Sequence, residues 1–270
     1  MNFLVLGDIF PSSLNLLKKK LPIIKRKHKI DFIIANGENS APDALGITKK
    51  AAKFLFKIGV DVITSGDHIW DKKEIFKFIK YENRLIRPAN MSKKMPGVGY
   101  NIFKKKNKKI CVINLMTNKF MPKSQNVFKI AHSLSKKFKM TKNVDFIIID
   151  IHGEYAAEKK SIGYLYDGKA TLVFGTHTHI PSADSIVLPK GTAYQTDLGM
   201  CGDYNSVIGL NKNIFLKKML NPKNTSSNSP ASGVSSICGA IVSAKNVSGL
   251  ASNIKQIIIG NYTKAKTIKS

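Results

Sequence analysis

His177 and His179 stand one residue apart in Phe174-Gly175-Thr176-His177-Thr178-His179, directly after an apolar run. Acidic or imidazole groups also close four earlier apolar runs, at Asp8, Glu38-Asn39, Asp67-His68 and His152. Divalent cations that serve hydrolysis prefer hard oxygen donors mixed with imidazole nitrogen. A two-metal centre further needs a carboxylate shared by ions roughly 3.5–4 Å apart, with a hydroxide held between them. Asp8, Glu38, Asp67, His152, His177 and His179 supply those donors, and Asn39 adds a neutral oxygen. Each has a bland explanation when taken alone. An Asp after a strand usually caps or turns the chain, and Glu38-Asn39 can close a turn. A loop His is usually solvated, as His28 and His132 are read. Capping would also draw on Ser and Gly, however, and the repeated choice of metal-ligating types favours a shared centre.

Such a centre requires that the runs be strands of one layered fold. Residues 2–7 read as a strand, 12–20 as a helix and 31–36 as a strand. Thr48 caps a helix that reaches Ile58 and stops at Gly59. A strand over 61–65 and a helix over 72–80 follow. Strands at 99–103 and 109–115 flank a polar turn from Lys104 to Lys108, a hairpin pattern. A helix over 126–138 leads to the most apolar strand, 144–151, and another strand covers 171–175. Short β-like runs come at 193–196, 235–242 and 254–259. The Asn-, Ser- and Pro-rich stretch 221–232 reads as a loop, because the runs after it are too few for an independent domain. Alternation of this kind argues an α/β fold with the sheet buried on both faces, in a single domain over 1–270. Parallel strands then bring their carboxyl ends to one edge, where open α/β sheets place ligands.

Composition narrows the partners. The formal net charge is +27, from 44 Lys and Arg against 17 Asp and Glu. A nucleic-acid surface is one explanation. The favoured one is a chain that writes Lys wherever a solvated residue is wanted, since only Arg26, Arg84 and Arg87 are arginines. Arg grips phosphate better through its planar fork, and a dedicated RNA site would use more of it. A field this positive still draws anionic substrates. Arg84 and Arg87 are set against that Lys background by function, or by an ordinary ion pair or strand-end cap. No apolar window is long enough to span a membrane. The start, Met1-Asn2-Phe3-Leu4-Val5-Leu6, lacks the flanks of a signal peptide. The 3 cysteines have no paired spacing, which fits reduced thiols in the cytoplasm.

The order of these groups resembles the calcineurin-like metallophosphoesterases, and more closely their YmdB-like branch. The resemblance rests on Gly7-Asp8, Asn36-Gly37-Glu38-Asn39, Gly66-Asp67-His68-Ile69-Trp70-Asp71 and Arg87-Pro88-Ala89-Asn90. It continues through Asp150-Ile151-His152-Gly153-Glu154, Gly175-Thr176-His177-Thr178-His179, Leu188-Pro189-Lys190-Gly191-Thr192-Ala193-Tyr194 and Asp197-Leu198-Gly199-Met200.

The resemblance implies a β-sandwich flanked by helices, four layers in the order α/β/β/α. It implies one ion on Asp8, Glu38, Asn39 and His179, and a second on Glu38, Asp67, His152 and His177, with Glu38 bridging. The ions would be divalent or mixed-valence, iron or manganese. His68 would face the leaving-group oxygen as general acid or donor. The implied reaction opens a small phosphodiester, a 2′,3′-cyclic nucleotide, to a 3′-nucleotide by attack of a metal-bound hydroxide. A homo-oligomer with no membrane contact is expected. A phosphomonoesterase or nucleotidase on the same metal core is the alternative, and a metal-containing RNA-binding regulator is a third reading. Two departures from the wider pattern matter. Phe10 stands where broader metallophosphoesterases have His, as in the YmdB-like branch. Asp67 stands where that branch often has Asn. Asp8, Glu38 and Asp67 then carry −3, and a bridging hydroxide makes −4 against +4 from two divalent ions. Metal binding should tighten and phosphate be polarised less.

Overall fold

The computed structural model describes residues 1–260 apart from 222, 224, 226 and 228. Its strands are β1 (Asn2–Leu6), β2 (Asp8–Ile9), β3 (Phe32–Asn36), β4 (Val62–Thr64), β5 (Tyr100–Lys105), β6 (Lys108–Met116) and β7 (Phe146–His152). They continue with β8 (Leu172–Thr176), β9 (Ile186–Val187), β10 (Ala193–Gln195), β11 (Met200–Asp203), β12 (Ser235–Ala244) and β13 (Ala251–Ile259). The helices are α1 (Leu14–Lys27), α2 (Lys49–Lys57), α3 (Ile75–Phe78), α4 (Val127–Lys137), α5 (Ala156–Leu165) and α6 (Lys212–Leu220).

Two mixed sheets result. In the first, β1, β3 and β4 are parallel neighbours, β12 runs antiparallel beside β1, and β13 lies beyond β12. The short pair β2 and β11 extends it. The second has the order β5-β6-β7-β8-β10-β9, with β6, β7, β8 and β10 parallel.

Period-2 alternation explains the layering, because successive side chains leave a strand on opposite faces. Phe3 and Val5 of β1 meet Phe146 and Ile148 of β7 and Leu172 and Phe174 of β8 in the core between the sheets. Leu4 and Leu6 face the other way, onto Leu17, Leu21 and Ile24 of α1 and Leu55 of α2. On the far side, Ile147 and Ile149 of β7 pack under Ala131 and Leu134 of α4, Ile162 of α5 and Tyr166 just past its end. The four layers are α/β/β/α, as expected.

Three local outcomes differ from expectation. α1 runs through Pro22 to Lys27 rather than ending at residue 20. Leu17, Leu21 and Ile24 are buried on one stripe, and three such side chains outweigh the ~3 kcal/mol of an interior proline. The hairpin turn narrows to Lys106-Asn107, with φ of 49° and 58°. Positive φ at both positions matches a two-residue turn whose twist suits the flanking strands. The helix expected over 72–80 forms only at Ile75–Phe78. The cap at Thr48 is present, its side chain accepting from the Ala51 N–H at 3.1 Å. Part of the expected loop 221–232 lies outside the described residues. No helix among the described residues is long and apolar enough to cross a membrane.

Candidate metal centre

The parallel strands end at one edge of the sandwich. β1 leads to Asp8, β3 to Glu38 and Asn39, β4 to Asp67, β7 ends at His152 and β8 leads to His177 and His179. Register completes the alignment: β7 and β8 pair with His152 opposite Thr176.

Glu38, Asp67, His152 and His177 each offer a donor atom within 4.8 Å of the others. Nε2 of His152 is the focus. It lies 2.9 Å from Oε1 of Glu38, 3.1 Å from Oδ1 of Asp67 and 3.0 Å from Nδ1 of His177. One ring nitrogen cannot donate to three partners. The other nitrogen is already committed: Nδ1 is 2.9 Å from Oγ1 of Thr176, which spends its own proton on Oδ1 of Asp150 at 2.8 Å. Thr176 must therefore accept from Nδ1–H, so Nε2 is the ring nitrogen that faces the cluster and would exchange its proton for a cation.

Asp8, Asn39 and His179 border this group. Oδ2 of Asp8 accepts from the His177 N–H at 3.0 Å. Asn39 donates to the Ala44 carbonyl at 3.2 Å, which frees its oxygen. His179 donates through Nδ1 to the Ile208 carbonyl at 2.9 Å and meets the Phe10 ring edge-on at 5.0 Å. Phe10 thus packs on a candidate ligand. Oδ1 of Asp8, Oε2 of Glu38 and Oδ1 of Asn39 are buried without a hydrogen-bond partner, and Oε1 of Glu38 faces Nε2 of His152. Such oxygens are costly when unpaired, and a cation supplies what they lack. Even the backbone leaves room: a Cβ on Gly66 would come within 2.2 Å of Nε2 of His152 and 2.3 Å of Oε2 of Glu38. The donor set fits metal.

Electrostatics follow from crowding. Burial pushes the Asp8 carboxyl well above its usual range. Burial also opposes charge on His152, yet Glu38, Asp67 and Asp8 together push it well up. Burial and the neighbouring His152 push His177 down to about 3, which keeps one ring nitrogen unprotonated. Burial likewise lowers His179.

His68 sits at the mouth. Its Nδ1 is 2.7 Å from Oδ2 of Asp71, and its Nε2 is 3.7 Å from Oδ2 of Asp67. Burial opposes its protonation, but Glu38, Asp67 and Asp71 prevail and raise it. Arg84 and Arg87 take no part. Arg84 forks onto Glu82 with two bonds of 2.8 Å, and Arg87 donates to the carbonyls of Pro96, Pro88 and Met95.

Behind the donors lies a layer that sequence reasoning missed. Asp150 accepts from Thr64, Thr176 and Asn36, tying β3 and β4 of one sheet to β7 and β8 of the other. Burial pushes it up to about 6 against those bonds and His152. A buried pair, Lys159 and Asp197, grips the loop of His177 and His179. Lys159 donates to the Thr176 carbonyl at 2.7 Å and to Asp197 at 2.9 Å. Asp197 accepts from the N–H groups of Thr178 and Gly199 at 3.1 and 2.9 Å. That loop is strained, with φ of 104° at His177 and 65° at His179. Strain of this kind persists only where neighbours over-determine it.

The mixed two-sheet α/β sandwich is a fold shared with the calcineurin-like phosphoesterase YfkN from Bacillus subtilis, whose structure superposes with a TM-score of 0.54 at 11% identity. Comparison narrows the class: residues 4–257 match the family model described as YmdB-like protein. The chain belongs to that family. It is 37% identical over 267 residues to the 2′,3′-cyclic-nucleotide 2′-phosphodiesterase of Bacillus subtilis (strain 168), covering 97% of this chain and 98% of that one. A solved structure of a hypothetical protein from Thermus thermophilus superposes with a TM-score of 0.89 at 30% identity, covering 96% of this chain and 99% of that one. That of a novel phosphatase from Mycoplasma pneumoniae gives 0.87 at 31%, covering 96% and 93%.

Proposed function

We propose that this chain, as a single domain, is a dinuclear-metal phosphodiesterase that hydrolyses 2′,3′-cyclic nucleotides to 3′-nucleotides. The observation that carries the proposal is the group Glu38, Asp67, His152 and His177, with Oε2 of Glu38 buried and unpartnered. The name of the Bacillus relative supports the substrate class. Asp8, Glu38, Asn39 and His179 would hold one ion, and Glu38, Asp67, His152 and His177 the other. Iron or manganese suits this mixture of oxygen and imidazole. The chemistry such ions supply is Lewis acidity, which makes a water nucleophilic near neutral pH and offsets charge on phosphate oxygens.

The chain's own residues set the rest. Thr176 and Asp150 hold His152 in one tautomer. Lys159 and Asp197 hold the His177–His179 loop. Asp71 holds Nδ1 of His68, which leaves Nε2 to donate a proton to the departing 2′-oxygen. Turnover of 2′,3′-cyclic AMP, 3′,5′-cyclic AMP and a phosphomonoester, with products separated by chromatography, tests the reading. It predicts 3′-AMP from the first substrate and far slower reaction of the others. Dominant phosphomonoester hydrolysis would favour a second reading, a nucleotidase, to which the word phosphatase in the name of the Mycoplasma structure lends weight.

A further inference from the structure

Two aromatic rings lie on the loops that leave β6 and β7 beside His152 and belong to none of the candidate ligands. Tyr155 comes three residues after His152, so their Cα atoms lie within about 11 Å. Phe120 follows β6, whose last residue, Met116, pairs with His152. The two loops are locked together. Thr117 donates its N–H to the His152 carbonyl at 2.9 Å, and a Cβ on Gly153 would strike Oγ1 of Thr117 at 1.9 Å. The Phe120 and Tyr155 rings meet edge to face, with centroids 6.0 Å apart and planes at 89°. Lys119 lies 4.3 Å from the Tyr155 centroid and 5.2 Å from that of Phe120.

Phe120 is the anomaly. It is 72% exposed, and its φ is 64°. A bulky side chain in that backbone region is a genuine outlier, and nothing in the core gains from it. The loop is nonetheless firmly built. The N–H groups of Asn118 and Lys119 share Oε2 of Glu158 at 2.7 and 3.2 Å, and Oδ1 of Asn118 accepts from Val127 at 2.7 Å. An open aromatic face is therefore presented on a fixed support, beside a cation, at the edge that gathers the phosphate chemistry.

We infer that Phe120, steadied by Tyr155 and Lys119, is the stacking platform for the nucleobase of the substrate. The inference rests on the proposed reaction and adds its specificity determinant. A phosphate at the metal centre leaves the ribose and base pointing out of the cleft, and an aromatic face is sequence-tolerant because every base has a π-face. Lys119 adds attraction for an anionic ligand. The platform selects nucleotides over diesters that lack a base, without selecting one base strongly.

The test uses the metal-loaded protein, Phe120→Ala and Phe120→Trp, with 2′,3′-cyclic AMP and glycerol 1,2-cyclic phosphate as substrates. Stacking is worth ~1–3 kcal/mol, so Phe120→Ala should raise KM for the cyclic nucleotide about 5- to 150-fold. Its kcat should hold within about twofold, since the lost contact is uniform binding. Phe120→Trp should keep the wild-type KM. Turnover of glycerol 1,2-cyclic phosphate should not change in either variant. An unchanged KM for the nucleotide, or equal losses on both substrates, overturns the inference. Calorimetric binding of 3′-AMP and of inorganic phosphate separates this from the parent reading. Wild type that cleaves neither diester overturns the phosphodiesterase, whereas 3′-AMP binding indifferent to Phe120→Ala overturns the platform.

Discussion

Replacing Lys159 by Met tests how the ligand loop is held. Lys159 is 1% exposed and Asp197 is 2% exposed, so the pair is out of water. Removing one member of a buried pair typically costs about 3–5 kcal/mol, because the other charge is left uncompensated. Here Asp197 keeps its bonds from Thr178 and Gly199, so the low end, about 3 kcal/mol, is expected. For a chain of this size that lowers Tm by roughly 6–12 °C. The Thr176 carbonyl also loses its donor, next to His177. Metal affinity should therefore fall about 10-fold, the lower end for outer partners of a metal site. Urea unfolding with chelator present, followed by circular dichroism, isolates the stability change from metal loss. The double variant Lys159→Met with Asp197→Asn removes the stranded charge, and its cost should be smaller than the sum of the two singles by at least about 1.5 kcal/mol. A loss below about 1 kcal/mol in the single variant, or strict additivity in the double, would refute the argument.

Three further outcomes follow from the site. Asp67→Asn should keep activity while shifting metal preference, since it removes one of three carboxylates and keeps an oxygen donor. Loss of both ions in that variant, read by elemental analysis, would sink the charge argument. Chelation should lower Tm, because binding at about 1,000 times Kd is worth about 4 kcal/mol, or roughly 8–16 °C here. A scan that does not move on chelation counts against a metal centre. His68→Ala should lower kcat by about 10²–10⁴-fold without altering metal content. Salt-sensitive RNA binding that survives both His68→Ala and Glu38→Ala, from a chain with no turnover to lose, would favour the RNA-binding regulator.

The candidate donors stand out in the sequence because fully buried parallel strands read as plain apolar runs, and polar residues that end such runs are conspicuous. Asp8, His152 and His177 are singled out this way, and the structure gathers Glu38, Asp67, His152 and His177 into one group. Asp150 was not, although a carboxylate amid Ile147, Ile148, Ile149 and Ile151 is itself a signal. Its role depends on Thr64, Thr176 and Asn36, which come together only across the sheets. Lys159 was hidden twice. α5 went unread because its buried face includes Lys159 and Gly163 rather than a clean apolar stripe. The chain also carries so many lysines that a buried one has no distinguishing mark. α6 buries no residue, so periodicity had nothing to show. The strain at His177 and His179 belongs to the loop's bonds and cannot be read from residue types.

The most direct measurement is anomalous diffraction from metal-loaded crystals, paired with elemental analysis of wild type and Glu38→Ala. Two ions per chain should appear, both touching Glu38, one also held by Asp67, His152 and His177 and the other by Asp8, Asn39 and His179. Glu38→Ala should lose both. Ions bound away from these side chains, or a Glu38→Ala variant that retains the full complement, would contradict the account.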